Sequence, residues 1–443
     1  MNITDKMAGF AINMSFDRLP EEVIEQAKKC FLDWLGVTFG GATYPIANIL
    51  TGFVEEIGGE EQATILAKGI KTNVLNAALA NGAISHVLDF DDTHTASLCH
   101  ISSPIMPVIF ALGEYRHLSG KDCIAAFVSG FETSARVGLA MEPDHYHAGW
   151  HATSTMGRLG AVAAAGKLLD LSQKQMRRAL AIAATQSGGF TVVFGTMCKP
   201  FHPGKAAMDG MLAAMLAARG FDGPENILET EKGFCRIFSK HVDFEKITDG
   251  LGDDYELLNN TFKPYASCLL THPSIDAALD LRSAHNISAD EIQKIEVTVA
   301  PLVRQIAGKQ RPRTALEGKF SIYYCIAVAL LEGGVGEDKF TDEKMIDKRL
   351  SDLQELISVN VNPEFNNTTA ELSIKTLKGD LYTKKIFVPR GDPRNPLSFS
   401  QIEDKFRILA RKIFQEERIS KLIYSLRRLE ELDEINQLVE LCS

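Results

Sequence analysis

Two stretches rich in Ala, Gly and Met, residues 160–169 and 206–218, constrain this chain most. Side chains that small on every face of a helix suit the middle of a bundle, where neighbours approach closely from all directions. The chain must therefore supply a large helical body around them. Between residues 19 and 220 the pattern is helical: after Pro20, the residues Val23, Ala27, Phe31 and Trp34 recur at three- and four-residue spacing. Gly220, followed by Asp222-Gly223-Pro224, predicts a helix stop. The character changes after Thr271. Residues 292–299, I-Q-K-I-E-V-T-V, alternate like a half-buried strand, and residues 370–388 give two more strand-like runs around Lys378-Gly379-Asp380. A helical stretch at 322–331, closed by Gly333-Gly334, lies between them, and residues 389–396 form a Gly/Pro-punctuated connection. From 399 to 441 the pattern is helical again and heavily charged.

With 443 residues the chain exceeds the roughly 250–300 at which single cores stop growing, so two domains are expected. The formal net charge of −10 argues against a nucleic-acid surface, which needs clustered Lys and Arg without compensating acids. An anionic ligand would have to find its positive charge locally. No apolar stretch reaches the roughly 18–20 uninterrupted residues of a membrane span, and residues 1–16 lack the pattern of a secretion signal, so a cytoplasmic protein without membrane partners is expected. The eight cysteines are scattered without CxxC pairs and read as reduced thiols.

Five clusters combine polar chemistry with apolar surroundings. Residues 85–94, S-H-V-L-D-F-D-D-T-H, interleave acids with apolar side chains, and His100 follows. If the segment is helical, His86, Asp89 and Thr93 share one face and Asp91 points elsewhere; the alternative is a helix cap with solvated acids. His151, in G-W-H-A-T-S, precedes a small-residue helix and is either a proton carrier or a hydrogen-bonded structural histidine. Residues 198–205, C-K-P-F-H-P-G-K, place Lys199, His202 and Lys205 in a predicted turn ahead of the Ala-rich helix, where an anion could bind, or where an ordinary exposed basic turn could lie. Lys263 and Cys268, in K-P-Y-A-S-C, fall where the helical part gives way to the mixed part, and domain junctions favour ligand clefts. Tyr324, beside Tyr323, is either a site residue or a core aromatic. There is no HExxH and no zinc-spaced Cys pair, and neither GxGxxG nor GxxxxGK[ST] occurs, so no metal and no cofactor are expected.

Together these segments resemble the MmgE/PrpD family. The likeness spans H-V-L-D-F-D-D-T at 86–93, K-P-F-H-P-G-K-A-A at 199–207, K-P-Y-A-S-C at 263–268, F-S-I-Y-Y at 320–324 and R-G-D-P-R-N-P-L-S at 390–398. The resemblance implies a mainly α fold: a large all-helical domain formed by both chain ends (residues 1–265 and 398–443) and a smaller α+β lid domain (266–397). It also implies a homodimer and a cofactor-independent lyase that dehydrates or decarboxylates a small di- or tricarboxylate, with an epimerase or a non-catalytic binding member as alternatives. By motif position it points to Asp89, Thr93, His100, His151, Lys199, Lys263 and Tyr324 as site residues. Cys268 stands where the family's decarboxylases carry histidine, and the segment after His100 lacks the Asp-Asn of its 2-methylcitrate dehydratases. In the implied chemistry negative charge develops on carbon beside a carboxylate. Lys199 and Lys263 would bind carboxylates, and Thr93 and Tyr324 would add hydrogen bonds. His100 and His151 would exchange protons, with Asp89 orienting one of them; His202 and Cys268 would line the site.

Overall fold

The computed structural model describes residues 2–443, and the chain divides into two compact units. The first runs to Val87, resumes at Asp91–Thr261 and ends with Ser398–Ser443; the second comprises Leu88–Phe90 and Phe262–Leu397. The helices named below are, in chain order, α1 (Glu21–Gly41), α2 (Val74–His86), α3 (Ser102–Arg116), α4 (Gly120–Met141), α5 (Ala152–Leu168), α6 (Cys198–Ala218), α7 (His272–His285), α8 (Ile322–Glu332) and α9 (Phe399–Ala410). The strands are β1 (Thr93–His94), β2 (Asn260–Thr261), β3 (Ile292–Val299), β4 (Ile357–Val361), β5 (Ala370–Thr376) and β6 (Leu381–Ile386). No helix among the described residues is long and apolar enough to cross a membrane.

In the first unit α2, α3, α4, α5 and α6 pack against one another, with the two Ala/Gly/Met stretches at the centre as their composition requires. Glycine sets the separation. A Cβ on Gly204 of α6 would lie 2.2 Å from the Leu79 carbonyl of α2, and one on Gly82 would lie 2.6 Å from Gly204 Cα. Gly157, Gly160 and Gly210 meet Pro104, Gly130 and Ala161 just as closely. Any side chain at these points would force the backbones apart, because a close-packed interior has no slack. The C-terminal segment joins this body through α9, whose Lys405 Nζ donates to Asp33 Oδ1 of α1 at 2.7 Å, both residues being buried.

In the second unit the sheet order is β4-β3-β5-β6. β3 pairs with β5 antiparallel (Ile295 opposite Ile374) and with β4 parallel (Ile295 opposite Ile357), while β5 and β6 form a hairpin closed at Gly379, φ +91°. Ile295, Val297, Val299, Leu372 and Ile374 are buried, and α7 lies against the hairpin. Gly333, at φ +76°, ends α8 in the left-handed conformation that only glycine adopts without cost.

The strands expected at 292–299 and within 370–388 and the helix at 322–331 are present. β4 carries no period-2 alternation of burial and was not anticipated. The tripeptide Leu88–Phe90 departs from the expected 1–265 segment: it belongs to the small unit, where Lys319 Nζ donates to the Leu88 carbonyl and Lys263 Nζ to the Asp89 carbonyl at 2.8 Å.

The Lys405–Asp33 pair generates a stability prediction. Removing one member of a buried ion pair leaves a charge without compensation, so Lys405→Met is expected to cost about 3–5 kcal/mol at pH 7.5. Burial already raises the Asp33 carboxyl above its usual value. The loss should therefore shrink as pH is lowered and Asp33 takes up a proton, and Asp33→Asn combined with Lys405→Met should recover most of it. Urea unfolding of the three proteins checks this; equal losses in the single and double variants would contradict it.

Candidate active site

The first unit gathers seven polar side chains from five chain segments around the carboxylate of Asp91. α2, capped where the Asn73 side chain accepts from the Asn76 backbone N–H at 2.9 Å, ends at His86. His86 Nδ1 lies 2.8 Å from Asp91 Oδ2. The same oxygen accepts from Ser103 Oγ at 2.6 Å, in the first turn of α3, and lies 3.1 Å from His100 Nδ1. On the other side of the His86 ring, Nε2 accepts from Lys199 Nζ at 2.9 Å. Lys199 can reach it because α2 and α6 meet at Gly82 and Gly204. Thr93, fixed where β1 pairs with β2 (Thr93 opposite Thr261), places Oγ1 3.2 Å from His100 Nδ1. His151 stands at the head of α5, its backbone carbonyl taking the Ser154 N–H at 2.8 Å, and its Nδ1 lies 2.8 Å from His202 Nδ1. The His86 ring is 4.6 Å from that of His100 and 6.1 Å from that of His151, centroid to centroid.

The electrostatics are one-sided. Burial and the neighbouring Lys199 push His86 down to about 4 against the pull of Asp91. His151 is driven well below its usual value by burial first, then by Lys199, His202, His86 and His100. His202 falls to about 4 through burial, His86, Arg158 and Lys199. These three imidazoles are neutral at pH 7. For Asp91, burial works upward but the adjacent His100 and His86 outweigh it, and the carboxyl is held well below the usual range. Asp91 is ionised. Asp92, one residue on, behaves oppositely: burial, Asp33 and Asp91 push it up to about 7, against the Ser102 hydroxyl that donates to it at 2.5 Å. Two adjacent carboxyls are thus shifted in opposite directions.

His86 and His100 are close enough to share a cation, but both His86 nitrogens are engaged, one with Asp91 and the other with Lys199. A metal there would have to displace the lysine.

Several expectations are corrected. The segment 86–93 is not one helical face: α2 stops at His86 and Asp89 has φ +50°, a turn conformation, and Asp91, expected to point elsewhere, lies against both His86 and His100. Residues 198–205 are not a turn but the first two turns of α6, where Lys199 is buried; this places Lys199 and His202 three apart on one helical face. His100, His151, Thr93, Lys199 and His202 come together as expected. His86 and Asp91 were not selected, although His86 lay inside the cluster that was read; its signal was an imidazole flanked by Ile84, Val87 and Leu88, all apolar.

Asp89, Lys263, Cys268 and Tyr324 belong to the second unit. There Lys263 is buried and bonds Asp89, with Nζ also 3.4 Å from Asp89 Oδ1. The Cys268 N–H donates to the Lys319 carbonyl at 2.9 Å. Tyr324 is fully buried and its hydroxyl donates to the Lys339 carbonyl at 2.5 Å, which spends its one proton. Lys319, another residue not anticipated, is buried among Asp89, Glu337 and Lys263, and burial lowers it to about 8.

A mainly helical body whose buried lysine and histidines surround one carboxylate, with a small α+β unit inserted in its sequence, defines the class. Two family models match: MmgE/PrpD N-terminal domain over residues 5–247 and MmgE/PrpD C-terminal domain over residues 265–428. The chain belongs to the MmgE/PrpD family. It is 29% identical over 460 residues to the cis-aconitate decarboxylase of Homo sapiens, covering 99% of this chain and 94% of that protein. It is 26% identical over 468 residues to that of Aspergillus terreus (99% and 95% covered). With the 2-methylcitrate dehydratase of Escherichia coli K12 it shares 22% over 473 residues (97% and 95%).

Asp92 yields a prediction with a definite sign. Its folded value of about 7 lies above the ordinary 3.8. The folded state therefore holds a proton that the unfolded chain has lost between about pH 4 and 7, and the stabilisation this gives is lost as pH rises through that window, by up to ~1.4 kcal/mol per unit. Asp92→Asn stays uncharged and lacks this loss. Urea unfolding at pH 5 and pH 8 should show wild type losing stability relative to Asp92→Asn at the higher pH; a pH-independent difference would refute the assignment.

Proposed function

We propose that this protein is a cofactor-independent lyase that acts on a small di- or tricarboxylate by proton chemistry beside a carboxylate, with decarboxylation the first reading. The observation that carries it is the cluster of Lys199 with neutral His86, His151 and His202 around ionised Asp91. Decarboxylation breaks the bond to a leaving carboxylate, passes its electron pair to the neighbouring carbon framework, and needs one proton returned to carbon. Lys199, which is buried, supplies a positive charge for the negative charge that develops. His100, whose side chain is 12% exposed, and His202, at intermediate burial, are the cluster's most accessible imidazoles and can pass protons to and from a substrate. His151 exchanges with His202 through their paired Nδ1 atoms, and Asp91 favours the imidazolium that forms when His100 takes up a proton. The decarboxylases among the relatives, more similar than the dehydratases and covered almost end to end, support carbon dioxide release over dehydration. Cys268 is the departure that makes the substrate itself an open variable.

The homodimer belongs to the same proposal. Phe190, Val192, Met197 and Phe201 expose apolar surface in the first unit, of the kind such a contact covers.

Purified protein incubated with cis-aconitate, 2-methylcitrate and iminodisuccinate in deuterated water, followed by NMR, should release carbon dioxide from a tricarboxylate and leave deuterium on the product carbon. Alkene formation without carbon dioxide would make it a dehydratase, and deuterium exchange without net loss an epimerase. With the substrate in hand, Lys199→Met and His151→Gln are each expected to lower kcat by about 100-fold or more. Full activity in both would sink the assignment.

A further inference from the structure

Neither His86 nor Asp91 reaches solvent, yet both touch groups assigned to the reaction. His86 is 1% exposed and Asp91 fully buried. We propose that Asp91 and His86 are positioning residues that fix, through one shared carboxylate oxygen, the tautomers of His86 and His100 and thereby the orientation of the Lys199 amine. The inference deepens the proposed function and rests on the roles it gives Lys199 and His100.

An ionised carboxylate has no proton to give, so the nitrogen facing it must be the one that carries hydrogen. His86 Nδ1 faces Asp91 Oδ2 at 2.8 Å. Its other nitrogen, Nε2, then bears the lone pair, and it faces Lys199 Nζ at 2.9 Å. An ammonium is a donor only. The ring is therefore bracketed by an acceptor without a proton and a donor without a lone pair, and a single tautomer fits both. The opposite tautomer would set two donors against each other at Lys199 and two acceptors against each other at Asp91. His100 Nδ1 lies 3.1 Å from the same Asp91 oxygen and 3.2 Å from Thr93 Oγ1, and a hydrogen on Nδ1 suits both, since the hydroxyl oxygen can accept as the carboxylate does; Nε2 is then the nitrogen that carries the lone pair. Ser103 Oγ, at 2.6 Å, is the third donor to that oxygen and holds the carboxylate in place. Asp91 Oδ1 is buried with no hydrogen-bond partner, so all the bonding of the side chain runs through Oδ2. The Asp91 charge thus selects the nitrogen that each ring presents.

The test uses the full chain labelled with nitrogen-15 in histidine. Wild type at pH 7.5 should show His86 and His100 as Nδ1–H tautomers in two-bond proton–nitrogen spectra, and in Asp91→Asn, where the shared acceptor has lost its charge, the Nδ1 resonances of both rings should shift. In Ser103→Ala, a milder change that keeps the carboxylate, the Nδ1 resonances of both rings should shift, because the oxygen they share has lost a donor. Nε2–H tautomers in wild type, or spectra unchanged in both variants, would overturn the proposal. The spectra need no substrate, so they decide the matter even if no tested acid is turned over, in which case only the catalytic reading fails. Where turnover is found, Asp91→Asn should lower kcat by about 100-fold or more while KM changes less than about threefold. A loss confined to KM would contradict positioning.

Discussion

The close approach between Gly204 of α6 and the Leu79 carbonyl and Gly82 backbone of α2 is the constraint on which the cluster depends. Lys199 sits just before Gly204 on one helix and His86 just after Gly82 on the other, so the crossing point and the lysine–imidazole bond are a little more than one turn apart. A methyl group at either glycine would separate the two axes. A hydrogen bond at 2.9 Å tolerates little of that before it weakens, since a few tenths of an ångström carry it out of its normal range. The same logic repeats where Gly157 of α5 meets Pro104 of α3, the contact that sets His151 relative to the Ser102 and Ser103 turn. Small residues here serve chemistry through packing: they set the distances at which donor and acceptor meet.

That packing creates an electrostatic problem, because it buries Asp33, Asp91 and Asp92 near one another. Three ionised carboxylates in so dry a place would repel strongly. The structure resolves the conflict by giving each a different partner. Asp33 takes the Lys405 ammonium from the C-terminal segment, Asp91 takes two imidazoles and a serine, and Asp92, whose carboxyl is pushed up to about 7, accepts from Ser102 and from Asn260 Nδ2 at 2.8 Å. The return of the chain end to the helical body is thus more than extra apolar burial. Lys405 neutralises one acid directly behind the cluster and so leaves the negative charge of Asp91 to the histidines.

Much of this was legible in the sequence, and for identifiable reasons. The small-residue stretches demanded close helix packing and received it; the alternation at 292–299 could only be a strand with one buried face. The chemistry was legible as clusters but not as contacts. His86, Asp89 and Thr93 share a face only if a helix runs through them, and the local pattern could not reveal that α2 stops at His86. The turn at Leu88–Phe90 is held within the second unit by Lys319 and Lys263, distant in sequence, which donate to the carbonyls of Leu88 and Asp89, and local propensity does not demand it. The opening of α6 hides its helix for a related reason: Pro200, Pro203 and Gly204 are turn signals locally, but Pro200 falls in the first turn, where its missing N–H costs nothing, and Gly204 is required by α2. β4 is missed although I-S-V-N-V at 357–361 alternates apolar and polar residues; the alternation does not carry into burial, since only Ile357 is buried.

The arrangement of charge also explains why neutral histidines and a lysine can coexist so tightly. Placing four imidazoles and a lysine side chain within a few ångströms would be prohibitive if each were cationic. Burial removes the proton from His86, His151 and His202, which turns three potential repulsions with Lys199 into at least one attraction, the bond it donates to His86 Nε2. The neutral state in turn allows His151 and His202 to share a hydrogen between their Nδ1 atoms, since two imidazolium rings could not approach to 2.8 Å with both nitrogens protonated. A fixed cation beside several neutral proton acceptors is what charge development on carbon requires: one lysine to stabilise it, and bases that become cationic only when they take up the proton. Depressed imidazoles are therefore not a cost borne by the fold but the condition under which one lysine can act alone.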